Sequence, residues 1–123
     1  MLISVNVELF IILYVAHKVA DYLFQTDGQA RFKSEDWGFL LRHCIVYTIT
    51  VLGFAYLVIG YFSVAATILI FFSHLILDKR DFLNWWAVHI KRIKDPNSQH
   101  VSTVMLELDQ AFHYIVLLII SLK

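Results

Sequence analysis

Charged residues and helix-breaking residues are both scarce in this sequence. Only 16% of its 123 residues are Asp, Glu, Lys or Arg, 59% are hydrophobic, and it has one proline and four glycines. The formal net charge is zero, so the sequence lacks the basic excess that a nucleic-acid partner requires. The mean hydropathy of +0.68 goes with an apolar share well above that of a soluble domain. We therefore expect an integral membrane protein.

Motifs for nucleophilic catalysis are also missing. The sequence has no Gly-x-Ser-x-Gly segment, no glycine-rich phosphate loop and no Cys-x-x-Cys pair. Its single cysteine, Cys44, cannot form an internal disulfide and is interpreted as a packing residue. The first basic residue is Lys18, so residues 1–24 lack the early positive charge of a secretory signal. We expect this segment to persist as a first helix.

Apolar residues are concentrated in four long runs. A spanning helix needs about 20 residues to cross the hydrocarbon core. Polar segments separate the runs, beginning with a turn at 25–28 and a polar connection over 29–35, while Gly60 marks a tight, uncharged turn. We predict four transmembrane helices, over about residues 3–24, 37–61, 63–78 and 103–122.

The segment over 81–94 differs from these runs. Its apolar residues recur at helical spacing, they include Trp85 and Trp86, and it ends in a basic cluster before Pro96. This pattern is typical of an amphipathic helix in the membrane interface. The predicted fold is all-α: a single domain over 1–123, an integral membrane four-helix bundle with one interfacial helix between the third and fourth spans.

Lysine and arginine are distributed unevenly among the connections. They cluster around the first and third connections and are absent from the second. Because cytoplasmic loops carry the positive excess, we expect both charged connections to be cytoplasmic. Four spans then leave both termini outside, in the inner membrane of a cell.

Ionisable residues inside apolar runs cost free energy and usually mark a functional site. Three runs contain a His and an Asp four residues apart, which places both side chains on one helix face. The pairs are His17 with Asp21, His74 with Asp78, and Asp109 with His113, and the remaining run contains His43. In helices of alternating direction all seven groups reach one level, at the cytoplasmic end, and should face one another.

Imidazole and carboxylate are ligands for zinc, iron or manganese, and facing helices commonly build such sites. We expect one or two divalent metal ions, with zinc as the first choice. The expected ligands are His17, Asp21, His43, His74, Asp78, Asp109 and His113. Gln25, Tyr47 and Gln110 are expected to hydrogen-bond to these ligands. The alternative is a network of hydrogen bonds and ion pairs that only holds the helices together.

Four basic residues lie near the same level of the predicted bundle: Lys18, Lys33, Arg42 and Lys79. Two divalent ions and three carboxylates would leave a positive charge, which attracts anions. We expect these side chains to contact phosphate, as in an anionic lipid headgroup.

The same positions resemble a family of small bacterial membrane proteins known as a domain of unknown function, DUF3307. The likeness runs almost end to end. It is carried by His17-Lys-Val-Ala-Asp21, Leu41-Arg-His43, His74-Leu-Ile-Leu-Asp78 and Asp109-Gln110-Ala-Phe-His113. The family implies no established activity. The pattern also resembles membrane-bound metal-dependent hydrolases in architecture and ligand type, which implies hydrolysis at a metal.

We therefore expect a membrane-embedded hydrolase of a lipid or lipid-linked phosphate ester or amide, with one of Asp21, Asp78 and Asp109 as a base. One alternative is a pathway for cations, protons or metal ions, for which four short helices would need a homo-oligomer. Another is a non-catalytic subunit of a membrane complex. The outer halves of the runs, such as 52–59 and 115–120, are nearly all apolar, which favours a one-sided site.

Overall fold

The computed structural model describes residues 2–123, and their regular structure is helical apart from one isolated bridge between Val5 and Leu122. A π-helical turn, Val19–Phe24, continues the first helix, and a 3-10 turn, Gln99–Val101, precedes the last. The α-helices are α1 Val7–Lys18, α2 Asp27–Phe32, α3 Trp37–Ile59, α4 Val64–Lys79, α5 Asp81–His89 and α6 Ser102–Ile120. The all-α prediction is confirmed.

Polar side chains cap the starts of α1, α2, α3 and α4. Asn6 Oδ1 accepts a hydrogen bond from Leu9 N at the start of α1, and Ser63 Oγ accepts one from Ala66 N at the start of α4. Asp36 Oδ1 accepts from the backbone N of Gly38 and Phe39 at the start of α3. These bonds satisfy amide groups that have no partner within the helix.

The helices α1, α3, α4 and α6 enclose a common core, because α1 and α4 each contact both α3 and α6. The start of α1 and the end of α6 lie at the same end, where Asn6 N donates to the Ser121 carbonyl (2.8 Å) and Lys123 N to the Ser4 carbonyl (2.9 Å). Apolar side chains fill the interior towards that end: Leu9, Leu13, Val51, Ala55, Ile70 and Leu117.

Two helices are long and apolar enough to cross a membrane: α3, and α6 with its preceding turn, Gln99–Ile120. The run predicted over 3–24 becomes helical only at Val7 and changes to a π-helical turn at Val19. The run predicted over 63–78 forms the 16-residue helix α4. Sixteen residues rise about 24 Å, which is less than the roughly 30 Å of a hydrocarbon core.

A short helix, Asp27–Phe32, occupies part of the predicted turn at 25–28 and of the predicted polar connection over 29–35. Thr26 Oγ1 accepts from Gln29 N (3.1 Å), and Gln29 Oε1 accepts from Thr26 N (3.2 Å). This reciprocal pair is a capping box, and it starts α2. We did not predict this helix, although the Thr-x-x-Gln spacing is the signal in the sequence from which it could have been found.

The amphipathic helix predicted over 81–94 ends earlier, at His89. Lys91 N bonds the carbonyl of Trp86, and Ile93 N bonds that of Ala87, so neither follows the α-helical pattern. Arg92 has a φ of 60°, in the left-handed region, so the backbone after His89 does not return to a helix there. Leu83 and Ala87 form the buried face of α5.

Candidate metal site

Six of the seven expected ligands converge between the helices, in two groups that share Asp78. Asp21 lies on the π-helical turn, where the helix widens after Lys18, and such turns are frequent at functional sites. The first group is Asp21, His43, His74 and Asp78, and the second is Asp78, Asp109 and His113. Either group could hold a metal ion.

The donor atoms of the first group are spaced like the corners of a coordination sphere. His43 Nε2 lies 2.9 Å from His74 Nε2, 3.0 Å from Asp21 Oδ1 and 3.2 Å from Asp78 Oδ2. His74 Nε2 lies 2.8 Å from Asp78 Oδ2 and 3.7 Å from Asp21 Oδ1. Zinc with ligand bonds of about 2.0–2.1 Å holds its tetrahedral donors about 3.4 Å apart. Four of the five measured separations are shorter than that value, and one, at 3.7 Å, is longer, so a bound ion would require the donor atoms to move apart by a few tenths of an ångström.

Several of these buried polar atoms lack a hydrogen bond. Asp21 Oδ1 and Asp78 Oδ1 have no hydrogen-bond partner within residues 2–123, and neither does His43 Nδ1. Buried polar atoms without hydrogen bonds are rare in folded proteins. Asp21 Oδ1 lies 3.0 Å from His43 Nε2 and 3.7 Å from His74 Nε2, so a cation bound by these two imidazoles would also satisfy this oxygen.

The imidazole protons can be placed by following the chain of contacts. His113 Nδ1 lies 2.8 Å from the Asp109 carbonyl oxygen, which can only accept, so Nδ1 carries the proton. In neutral His113 the Nε2 atom is then an acceptor, and it lies 3.1 Å from His74 Nδ1, which must donate. When both rings are neutral, His74 Nε2 carries no hydrogen and faces the Asp78 carboxylate, so a metal ion between these two acceptors would satisfy both. A second proton on His113 reverses these bonds, and His74 Nε2 then donates to Asp78.

Lys33 enters the site directly. Its Nζ donates to Asp78 Oδ2 at 2.8 Å, and only 16% of its side chain is exposed. Burial lowers the pKa of Lys33, but the carboxylates of Asp78 and Asp21 raise it more, so the net shift is upward and the ammonium persists. We expected Lys33 to contact phosphate, and the structure instead pairs it with a candidate metal ligand.

The other three basic residues lie away from the cluster. Lys79 Nζ donates to the Ser34 carbonyl at 3.0 Å. Arg42 lies against the ring of Phe39, 5.8 Å from its centroid. Lys18 lies among tyrosines.

His17 lies outside both groups of donors. Its Nε2 is 2.9 Å from Gln110 Oε1, so this nitrogen donates, and its Nδ1 is 2.7 Å from the Tyr47 hydroxyl. Gln110 Nε2 in turn donates to Asp109 Oδ2 at 3.2 Å. Both ring nitrogens of His17 are thus engaged, and its Nε2 approaches Asp21 Oδ2 only to 3.5 Å.

The three residues expected to hydrogen-bond around the metal all lie at the site. Tyr47 and Gln110 bond to His17, and the Tyr47 ring also stacks on His74 at 3.6 Å between centroids. Gln25 Nε2 donates to the Asp21 carbonyl at 3.1 Å.

A small cavity of about 110 Å³ opens beside the cluster. It is lined by Lys33, Asp78, Arg80, Ser102, Leu106 and Asp109. Asp109 keeps 18% of its side chain exposed, whereas only 1% of the Asp78 side chain is exposed. Arg80 was not expected here, because the run Asp78-Lys79-Arg80-Asp81 indicates only a helix end in water. No feature of the sequence separates Arg80 from its charged neighbours.

These features define an all-helical protein with a buried His/Asp cluster that could hold a metal ion. Residues 9–123 match the profile of the family described as "Protein of unknown function (DUF3307)". The chain belongs to the DUF3307 family. Comparisons with curated proteins and with solved structures give no significant match.

Proposed function

We propose that this protein is a membrane-embedded, metal-dependent hydrolase that acts on a phosphate ester or amide of a lipid or lipid-linked substrate. The observation that carries the proposal is the convergence of four buried donor atoms, His74 Nε2, Asp78 Oδ2, His43 Nε2 and Asp21 Oδ1. His74 Nε2 lies 2.8 Å from Asp78 Oδ2, and His43 Nε2 lies 2.9 Å from His74 Nε2 and 3.0 Å from Asp21 Oδ1. A divalent cation satisfies all four donors at once, whereas a proton satisfies one pair.

Membrane placement is supported by the surface of the helices. An apolar core helix of a soluble protein is mostly buried, but only 33% of the apolar window of α3 and 22% of that of α6 are buried. Large apolar side chains are exposed on α4 as well, including Val64 (76%) and Ile68 (54%). Exposed apolar surface on this scale marks a membrane or a protein interface. The proposal takes α1 with its π-helical turn, α3, α4 and α6 as four spans.

The orientation of these spans follows from the basic residues. Lys79, Arg80, Lys91 and Arg92 lie around α5, at the end opposite the paired termini. The positive-inside rule assigns that end, with the cluster and its cavity, to the cytoplasm. Both termini then lie outside, in a bacterial-type inner membrane.

Lys33 favours one metal ion over two. With neutral imidazoles, the carboxylates of Asp21, Asp78 and Asp109 and the ammonium of Lys33 leave a formal charge of −2. One divalent ion neutralises this charge, and a second would leave a buried excess that costs free energy. We propose zinc, with iron or manganese as ions of the same donor preference.

The bound ion and two residues beside it, Asp109 and Arg80, are given different roles in the proposed reaction. A bound divalent cation supplies Lewis acidity. Asp109 is outside the first group, accepts from Gln110 Nε2 and lines the cavity, so it is placed to take a proton from water there. Of the three candidate bases, we therefore propose Asp109. Arg80 also lines this cavity and offers a positive charge to an anionic substrate group.

The contacts among His43, His74 and His113 would also suit a proton pathway. Such a pathway needs polar groups through the full thickness of the membrane. Within the described chain, the interior beyond the cluster is filled by Leu13, Val51, Ile70 and other apolar side chains. This packing favours a one-sided site over a pathway.

The direct test is the metal content of the full chain, purified in mild detergent without a histidine tag. We expect about one transition-metal ion per chain, lost in His74→Ala and in His43→Ala. His89→Ala is the matched control, because His89 is exposed on α5 and should leave the metal content unchanged. The absence of metal from the wild-type protein after exposure to zinc would overturn the proposal.

A second measurement covers the possibility that a variant fails to fold. Each variant's thermal unfolding in detergent is followed with and without added zinc. A metal site predicts that zinc stabilises the wild type and His89→Ala, since a ligand that binds only the folded state raises its stability. It predicts no such shift for a folded His43→Ala variant.

A further inference from the structure

A lysine lies among aromatic rings on the outer face of the first helix. The Nζ atom of Lys18 is 4.7 Å from the ring centroid of Tyr22, 5.5 Å from that of Tyr114 and 5.7 Å from that of Tyr14. A shallow surface depression of about 450 Å³ runs beside it. The depression is lined by Tyr14, Val15, Lys18, Val19, Tyr22 and Leu23.

The charge of Lys18 is not balanced by a carboxylate. No Asp or Glu within residues 2–123 forms an ion pair with it, and every other residue that lines the depression is uncharged. A second surface depression, beside Lys91, offers a contrast because Glu107 also lines it. The surface around Lys18 thus combines one positive charge with apolar walls and lacks a negative charge.

We propose that this depression binds an anionic membrane lipid, with the headgroup phosphate on Lys18 and an acyl chain along Val15, Val19 and Leu23. The charge of Lys18 favours an anionic occupant, because an ammonium without a carboxylate partner, beside apolar side chains, attracts an anion that carries its own apolar chain. Tyrosine rings with a polar tip suit the headgroup level of a bilayer.

The lipid site is separate from the candidate metal site, although a hydrogen bond joins their surroundings. Tyr114, beside Lys18, donates to Gln110 Oε1 at 3.2 Å, and Gln110 also accepts from His17 inside the bundle. The site rests on the membrane placement in the proposed function and does not depend on a metal ion or on hydrolysis.

The test is native mass spectrometry of the full chain released from detergent, with phosphatidylglycerol and phosphatidylcholine as the two probes. The wild type should retain phosphatidylglycerol in preference. Lys18→Gln should weaken that binding roughly fivefold, because one basic side chain at an anionic membrane contributes about that factor. Lys18→Arg should retain it, since the charge remains. Lys123→Gln, which removes the same charge at the other end of the bundle, is the matched control.

Three outcomes would overturn the lipid site. The wild type could bind both lipids equally, Lys18→Gln could behave like Lys123→Gln, or the face could be covered by a second copy of the chain, seen as a dimer without lipid. The metal content of the same samples is measured in parallel. A wild type that contains metal but shows no lipid preference rejects this site alone, and a wild type that prefers phosphatidylglycerol but contains no metal rejects the metal centre alone.

Discussion

The Nε2 atom of His74 lies 2.8 Å from the Oδ2 atom of Asp78, four residues further along the same helix. The same carboxylate oxygen accepts a hydrogen bond from Lys33 at 2.8 Å and lies 3.2 Å from His43 Nε2. One buried oxygen thus joins α3, α4 and the residue that follows α2.

Removal of either partner of the Lys33 and Asp78 pair should destabilise the fold strongly. Each of Lys33→Met and Asp78→Asn leaves the other charge buried without its partner, which typically costs about 3–5 kcal/mol. The double variant should lose less than the sum, with a coupling free energy of about 1–3 kcal/mol. The free energies of unfolding of the wild type, the two single variants and the double variant are measured in mild detergent, and together they form a double-mutant cycle. Lys79→Met is the control, because Lys79 Nζ bonds only a backbone carbonyl, that of Ser34. Additive losses would show that the pair is not formed.

His17 should contribute to stability more than to metal binding. Tyr47→Phe removes the hydroxyl that lies 2.7 Å from His17 Nδ1, and we expect a loss of about 1–3 kcal/mol because a buried nitrogen is left without a partner. In Tyr47→Phe and His17→Gln the metal affinity should fall by no more than roughly 10–100-fold, the typical effect of removing a residue that hydrogen-bonds to the ligands and does not bind the ion itself. Zinc titration of Tyr47→Phe, His17→Gln and His43→Gln compares the three positions. If His17→Gln abolished binding as fully as His43→Gln, His17 would be a ligand after all.

The end of α3 and the His/Asp pairs could be read from the sequence, because local chemistry determines both. Gly60 ends α3 with a φ of 73°, and the pairs His74 with Asp78 and Asp109 with His113 lie on one helix face each, as their spacing predicts. The two groups of donors then follow from alternating helix direction.

The positions of Lys33 and His17 could not be read in this way. Lys33 reaches Asp78 only because α2 forms and packs on α3, which is tertiary structure. His17 has the same spacing to its Asp as His74 has, yet Tyr47 and Gln110, from two other helices, engage both of its nitrogens. Spacing within one helix does not reveal partners on another.

Asp109→Asn should separate catalysis from metal binding. Asp109 lies outside the first group and lines the cavity. Loss of a general base typically lowers the rate by about 10²–10⁴-fold, and the metal content should stay near one ion per chain. Hydrolysis is measured on a panel of lipid phosphate esters and lipid amides with the wild type as reference. An active Asp109→Asn variant would reject Asp109 as the base, and loss of its metal would make it a ligand.

Substitution by alanine should affect the free energy of unfolding in opposite directions at Gly53, inside α3, and at Gly60, at its end. Gly60 has a φ of 73°, where a side chain is strained, so Gly60→Ala should lower the free energy of unfolding by about 1 kcal/mol. A Cβ at Gly53 meets no atom within 4 Å, so Gly53→Ala should raise it by about 0.5–1 kcal/mol through helix propensity alone. Both are measured by unfolding in the same detergent. Effects of the same sign would contradict the left-handed end of α3.

The capping box of α2 should contribute to the site as well as to the helix. Thr26→Val removes the oxygen that accepts from Gln29 N, at a typical cost of about 1 kcal/mol. Thr50→Val is the matched control, because Thr50 Oγ1 bonds only the Val46 carbonyl within α3. Lys33 follows α2 directly, so fraying of this helix frees its ammonium from Asp78. Thr26→Val combined with Lys33→Met should therefore cost less than the two separate losses together, and strict additivity would show that α2 does not position Lys33.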